Sequence, residues 1–153
     1  MMAMLRSTLH MAFMFVTVIP YALLIVIASV LGVHGKKLYV IAQRWLTLSI
    51  DAARVIMGIR YQIQGQDNLP VGDTSPAILL VKHQSTYETF LMPAIMPHPL
   101  AYVFKKELLY VPFFGWSIGS LDMIHIDRSQ RARAFAKVVE QGQALLALSL
   151  IHI

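Results

Sequence analysis

Residues 11–33 contain no Asp, Glu, Lys or Arg, and this stretch constrains the fold more than any other in the chain. At about 1.5 Å per residue a helix of that length reaches roughly 34 Å, enough to cross a hydrocarbon core of about 30 Å. Thr17, Tyr21 and Ser29 are its polar-tipped side chains, and Pro20 and Gly32 its backbone breakers. Pro20 predicts a kink or bend, which membrane helices accommodate. The run is long for the apolar part of a cleaved signal peptide and no clean A-x-A site follows it, so a retained anchor is expected. Arg6 precedes the run and Lys36 and Lys37 follow it. This near balance gives only a weak bias, placing the Lys36 side in the cytoplasm.

Composition agrees with membrane contact. The chain is 57% hydrophobic and only 14% charged, which is too apolar for an ordinary soluble domain. A net charge of +5 on such a chain suits anionic lipid headgroups or phosphorylated substrates. No Lys/Arg-rich block, zinc pattern or recognition helix is visible, so nucleic acid is not an expected partner. The absence of cysteine excludes disulfides, thiolate zinc sites, Cys-ligated iron–sulfur clusters and cysteine nucleophiles. His10, His34, His98, His125 and His152 lack metal-ligand spacing and read as structural or interfacial, and no metal is expected.

Residues 37–57 read as a second, amphipathic helix. Lys37, Arg44 and Asp51 recur on one side with Gln43, Thr47 and Arg54, while Leu38, Ile41, Trp45, Leu48 and Ala52 fall largely on the other. A basic face with Tyr39 and Trp45 suits a membrane interface, and periodicity alone suits a core-packing helix equally well. Directly after an anchor, it is expected to complete a helical hairpin in or on the bilayer, ended by Gly58. Residues 1–58 thus form a membrane-anchoring helical region and residues 59–153 an α/β domain.

Within that domain, Tyr61-Gln62-Ile63-Gln64-Gly65 alternates as a half-exposed strand, and residues 67–73 form a turn-rich loop. Ala77-Ile78-Leu79-Leu80-Val81 reads as a buried strand. Residues 88–95 read as a short helix bent by Pro93. Ala101-Tyr102-Val103-Phe104 and Met123-Ile124-His125-Ile126 read as two further strands, and residues 130–147 as a helix. Strands alternating with helices predict an α/β architecture.

Chemistry-bearing residues gather where the three apolar strands end. His83 follows the first, with Glu88 five residues later. Imidazole can take a proton from an alcohol near neutral pH, and a carboxylate on its far nitrogen would fix the tautomer. Taken alone, a His and a Glu at this spacing are also a common coincidence. Lys105 and Lys106 follow the second strand, and Asp127 and Arg128 the third. In isolation each pair reads equally as a solvated charge pair or a local helix cap. Together, at strand ends where α/β crevices form, they suit a substrate carrying a hydroxyl and a phosphate. Ser85 is the one rival nucleophile, but it lacks the flanking glycines of a G-x-S-x-G elbow.

This ordered set resembles the lysophospholipid acyltransferase family, in particular its bacterial members that acylate 1-acyl-glycerol-3-phosphate. The family's N-H-x-x-x-x-D-type block is matched by Lys82-His83-Gln84-Ser85 through Glu88, with Glu in place of Asp and Lys in place of Asn. Its K-x-E-L, Pro and aromatic-Gly block is matched by Lys105-Lys106-Glu107-Leu108 and Pro112-Phe113-Phe114-Gly115, and its I-D-R block by Ile126-Asp127-Arg128. The family's later E-G-T-R block has no counterpart, and the chain is expected to be a C-terminally truncated fragment. The resemblance implies acyl transfer from acyl-CoA or acyl-carrier protein to the free hydroxyl of lysophosphatidic acid, giving phosphatidic acid without a cofactor. It implies His83 and Glu88 as the catalytic pair. Lys105, Arg128, Lys106, Ser85 and Gly115 would then bind substrate, with backbone amides near Gly115 available to an oxyanion. It also implies membrane lipids as partners and a bacterial inner membrane location with the site on the cytoplasmic side. The alternatives are a related acyltransferase using another lysolipid acceptor and a non-catalytic membrane-bound lipid-binding protein.

Overall fold

The computed structural model describes residues 1–69, 77–82, 84–130, 132–146 and 151–152. Helix α1 spans Met2–Val30 and helix α2 Lys36–Ala52. The first begins well before the charge-free run, because nothing in residues 2–10 breaks a helix: Arg6 is a good helix former and Thr8 returns its hydroxyl to the Met4 carbonyl at 3.0 Å. Pro20 stays inside α1. Between the two helices the chain turns through Gly32 and Gly35, which take positive φ values of 83° and 62°.

The helices form an antiparallel hairpin. His10 donates from Nε2 to the Ser49 carbonyl at 3.2 Å, Trp45 donates from Nε1 to Thr17 Oγ1 at 3.1 Å, and Ile25 packs with Leu38 and Ala42. Low residue numbers on α1 thus meet high ones on α2. The outward face of α2 carries Lys37, Arg44, Thr47 and Asp51, as its periodicity predicts. Tyr39 and Trp45 are buried instead of interfacial, because α1 and the helix after residue 85 cover that side. The outward flank of α1 remains apolar and exposed, including Phe15, Val16, Leu24, Ile27 and Val30. After α2 the chain widens into a π-turn, Ala53–Met57, and stops at Gly58 in the left-handed conformation.

The α/β part is small. Among the described residues, helices α3 (Thr86–Ile95), α4 (Phe114–Gly119) and α5 (Ala132–Leu146) accompany four short strands, β1 (Leu100–Ala101), β2 (Val103–Lys105), β3 (Ile124–Ile126) and β4 (Ile151–His152). Strands β2 and β3 are parallel, with Lys105 beside Ile126, and α4 lies in the crossover between them. Strand β1 pairs in parallel with β4. The predicted strand at 101–104 is therefore divided. The chain changes partners at Tyr102, whose N–H donates to the Met123 sulfur at 3.2 Å while its carbonyl accepts from Ile124 at 2.9 Å. Leu100, Ala101 and Ile124 are buried, and Gln141 of α5 grips the free edge of β3 by pairing its amide with the N–H and C=O of His125.

Two predicted strands are not formed. Residues 61–65 are exposed without regular structure, and residues 77–81 contain only an isolated bridge at Ile78, with Leu80 95% exposed. An apolar run becomes a buried parallel strand only where a neighbouring edge and a covering layer receive it. Here α2 and α3 pack on one another and β2 and β3 pair together, and the run offers the core only Leu79, which packs against Tyr39, Met96 and Leu100. Part of the turn-rich loop does form, as a 3₁₀ turn at Gln66–Asn68, while residues 70–73 lie outside the described set.

Candidate functional site

The N-terminus of α3 is built by its sequence. Ser85 is the N-cap in extended conformation and Glu88 is the third helical residue, the spacing of a capping box. The Glu88 carboxylate reaches back to accept the Gln84 N–H at 2.8 Å and lies 3.5 Å from the Ser85 hydroxyl. Glu88 is thus held by the backbone just ahead of the helix. His83, the expected base, lies outside the described residues. Ser85 turns its hydroxyl toward this carboxylate, so it serves the helix start.

The C-terminal ends of β2 and β3 supply the cations. Their register sets Lys105 opposite Ile126, so the next residues, Lys106 and Asp127, come together as an ion pair of 3.5 Å. Asp127 also accepts from the Ser129 hydroxyl and from the Ser129 N–H at 3.1 Å. The hydrogen bonds from Ser129 first, and then the Lys106 ammonium, hold its carboxyl below the usual carboxylate range. Lys106 therefore neutralises a neighbour, while Lys105 and Arg128 both line a cavity.

That cavity, of about 770 Å³, is the central feature of the site. Glu88, Lys105 and Arg128 are the charged residues among its described lining. The rest of the wall is largely apolar, with Val18 and Ile25 from α1, Trp45 from α2 and Phe114 from α4. One space thus joins a carboxylate and two cations to walls made by the membrane-type hairpin. It combines an amphiphile's two requirements, a charged recognition zone and room for hydrocarbon. Among the described residues, no cluster of three or more His, Asp or Glu side chains could hold a metal ion.

Gly115 has a structural task. A Cβ there would collide with the carbonyl oxygens of Leu108 and Leu109, so only glycine lets α4 approach the preceding 3₁₀ turn, Lys106–Tyr110. The amides of Phe114 and Gly115 already donate to Pro112 and Val111, both at 2.7 Å. The first of these closes a tight turn on Phe113, which takes φ 62° and ψ −63°, a strained conformation for a non-glycine residue.

Sequence reasoning missed Tyr102. It lines the cavity and its hydroxyl donates to the Thr89 carbonyl at 3.4 Å. Thr89 is four residues before Pro93, which has no N–H to return to it, so the carbonyl needs an outside donor. Gln43 similarly donates to the carbonyls of Pro93 and Met96 at 2.9 and 3.3 Å. The proline was the available signal that α3 requires such support. Burial raises the pKa of Tyr102, with the neighbouring Tyr39 adding to the shift, so it remains a hydrogen donor at neutral pH.

A family model described as acyltransferase matches residues 60–153. The 1-acyl-sn-glycerol-3-phosphate acyltransferase of Pseudomonas aeruginosa is 42% identical over 120 residues, covering 78% of this chain and 45% of that protein. The Saccharomyces cerevisiae protein of the same name is 32% identical over 111 residues, covering 71% of this chain and 35% of its own length. The Mus musculus 1-acyl-sn-glycerol-3-phosphate acyltransferase alpha is 28% identical over 124 residues, covering 81% and 42% respectively. The chain thus spans less than half the length of these curated relatives. No solved structure matches it.

Proposed function

The chain belongs to the acyltransferase family, and we propose that it moves a fatty acyl group from a thioester to the free hydroxyl of 1-acyl-glycerol-3-phosphate, forming phosphatidic acid. The donor is acyl-CoA or acyl-carrier protein. The observation that carries this reading is the cavity in which Glu88, Lys105 and Arg128 share one space with apolar walls from α1 and α2. A phosphate-bearing lipid needs that combination.

In this reading His83 takes the proton of the acceptor hydroxyl as its oxygen attacks the thioester carbon. Glu88 orients the imidazole and favours its charged form. The tetrahedral adduct expels the thiolate, breaking the C–S bond, and the proton on His83 passes to the leaving sulfur. No acyl-enzyme forms, because the donor is already activated. Lys105 and Arg128 hold the acceptor phosphate, with Arg128 suited to a bidentate contact. Lys106, paired with Asp127, keeps the ends of β2 and β3 together.

The N-terminal helix fits membrane association, and the hairpin suggests how. Arg44 neighbours Trp45, which touches Thr17 near the middle of α1. If α1 crossed the bilayer upright, exposed Arg44 would enter hydrocarbon, at a cost of about 2.5–3.5 kcal/mol or more. The hairpin therefore lies in the interface, with the apolar flank of α1 in the acyl region and the charged face of α2 toward water. We place it on the cytoplasmic face of a bacterial inner membrane, where lipid acceptors reach the cavity from the leaflet.

The test is thiol release from acyl-CoA by membranes containing the chain, with and without lysophosphatidic acid, beside His83→Ala and Arg128→Ala. Acceptor-dependent release that is lost in His83→Ala, with KM for the acceptor raised in Arg128→Ala, supports the assignment. Release that is equal in wild type and His83→Ala refutes the base. Release driven equally by a lysolipid without a phosphate monoester refutes the acceptor.

A further inference from the structure

The segment that joins β2 to β3 presents apolar side chains to solvent beside the hairpin. Tyr110 is 75% exposed, Trp116 52%, and Val111 and Leu108 are also exposed. Such a cluster is unusual for a segment that is otherwise tightly determined. The Phe113 turn and the tilted Phe113–Trp116 ring pair, with centroids 5.2 Å apart, fix the direction in which the indole points. The patch is thus rigid and outward.

Two observations identify its occupant. Helix α4, which carries Trp116, packs against α1, whose exposed side chains from Met11 to Val30 are apolar, so the patch continues a surface already directed at lipid. Leu108 belongs both to the exposed patch and to the wall of the cavity, so the patch borders the opening through which a lipid would enter. The residue types also match: Tyr and Trp carry an apolar body and a polar tip, the combination that settles at headgroup depth.

We propose that Tyr110, Val111 and Trp116 form a second membrane contact, an interfacial aromatic anchor that seats the cavity rim on the bilayer. The inference rests on the membrane reading of α1. The anchor complements the hairpin: α1 holds the chain on the leaflet, while the aromatic patch fixes the tilt of the α/β part. Together they turn the cavity rim toward the lipid.

The chain has two tryptophans, Trp45 and Trp116, and Trp45 is buried between the helices. The experiment is fluorescence quenching of the reconstituted full chain by vesicles of phosphatidylcholine and phosphatidylglycerol brominated on the upper acyl carbons. The Trp45→Phe variant should lose most of its emission, and the Trp116→Phe variant should lose little. Combined Tyr110→Ser and Trp116→Ser should weaken partition into unbrominated vesicles by roughly tenfold or more, the scale expected for apolar side chains left in water. Tryptophan emission in free solution checks that each variant is folded. If the chain sediments with vesicles while Trp116 stays unquenched, the anchor is overturned and the hairpin alone binds. Trp116 emission that responds to acyl-carrier protein and not to lipid overturns it in favour of a protein partner. If the chain does not sediment with vesicles at all, the membrane reading of α1 fails, and the anchor with it.

Discussion

Replacing Glu88 with Gln separates its two roles, because glutamine keeps the shape and the hydrogen-bond acceptor but not the charge. The Glu88 carboxylate accepts the Gln84 N–H at 2.8 Å at the start of α3. A hydrogen bond to a charged acceptor contributes about 1.5–3 kcal/mol and a neutral one about 0.5–1.5, so roughly 1 kcal/mol is lost there. A negative charge in the first helical turn contributes about 0.3–1 kcal/mol more through the helix dipole. The expected destabilisation is therefore about 1–2 kcal/mol, since Gln also serves in a capping box. Catalysis should suffer far more. If the carboxylate supports an imidazolium at His83, kcat should fall by about 10²–10⁴ with little change in acceptor KM. The assay is acceptor-dependent thiol release from acyl-CoA, read beside thermal unfolding of the same preparation. A kcat within threefold of wild type in a folded variant would refute the catalytic role and leave Glu88 as a helix cap alone. A Glu88→Ala variant then sets the scale, since it removes both roles at once.

Other expectations concern the scaffold. Gly115→Ala drives a methyl group into the Leu108 and Leu109 carbonyls and should lower stability by about 1–3 kcal/mol, measured by the shift in thermal unfolding; an unchanged midpoint would mean that α4 stands off the 3₁₀ turn. Thr17→Val leaves the Trp45 N–H without its acceptor and should cost about 1–3 kcal/mol, whereas the same change made in a Trp45→Phe background, where that N–H is gone, should cost much less, a coupling that a double-mutant cycle reads directly. Ser129→Ala removes the hydrogen bond from the Ser129 hydroxyl, which depresses the Asp127 carboxyl most strongly, so its titration, followed by carboxyl-carbon NMR, should move up toward the ordinary value. Because folding lowers this pKa, the group's stabilising contribution is fully present above the unfolded value near about 3.9 and is lost as pH falls through the folded one. The variant should therefore narrow the acid window over which that contribution fades, and a wild-type titration already at the ordinary value would contradict the geometry.

Much of the architecture was legible because it depends on one stretch of chain at a time. The charge-free run and the recurrence of Lys37, Arg44 and Asp51 every seven residues specify two helices and the side the second turns outward, whatever packs against them. Gly58 marks a helix end, and the helix read over residues 88–95 forms with its start two residues earlier, at Thr86. The apolar runs at 101–104 and 123–126 foretold strands there, and β2 and β3, beside Lys105 and Arg128, form within them or one residue on.

What the tertiary structure decided is who meets whom. Periodicity treats Ala77-Ile78-Leu79-Leu80-Val81 and Val103-Phe104 as similar apolar runs, yet among the described residues the second forms a ladder while the first makes a single bridge at Ile78, since strand burial requires a neighbouring edge supplied from elsewhere in the chain. Lys105 and Lys106 are equal in the sequence and differ in the fold, because the register of β2 on β3 spends Lys106 on Asp127 and leaves Lys105 on the cavity wall. Tyr102 acquires its task only when Pro93 strands the Thr89 carbonyl within its reach. Local pattern selects helices, strands and the residues capable of chemistry. Register, crossover and helix packing select which of those residues face one another, and these are properties of distant segments that no single stretch of sequence contains.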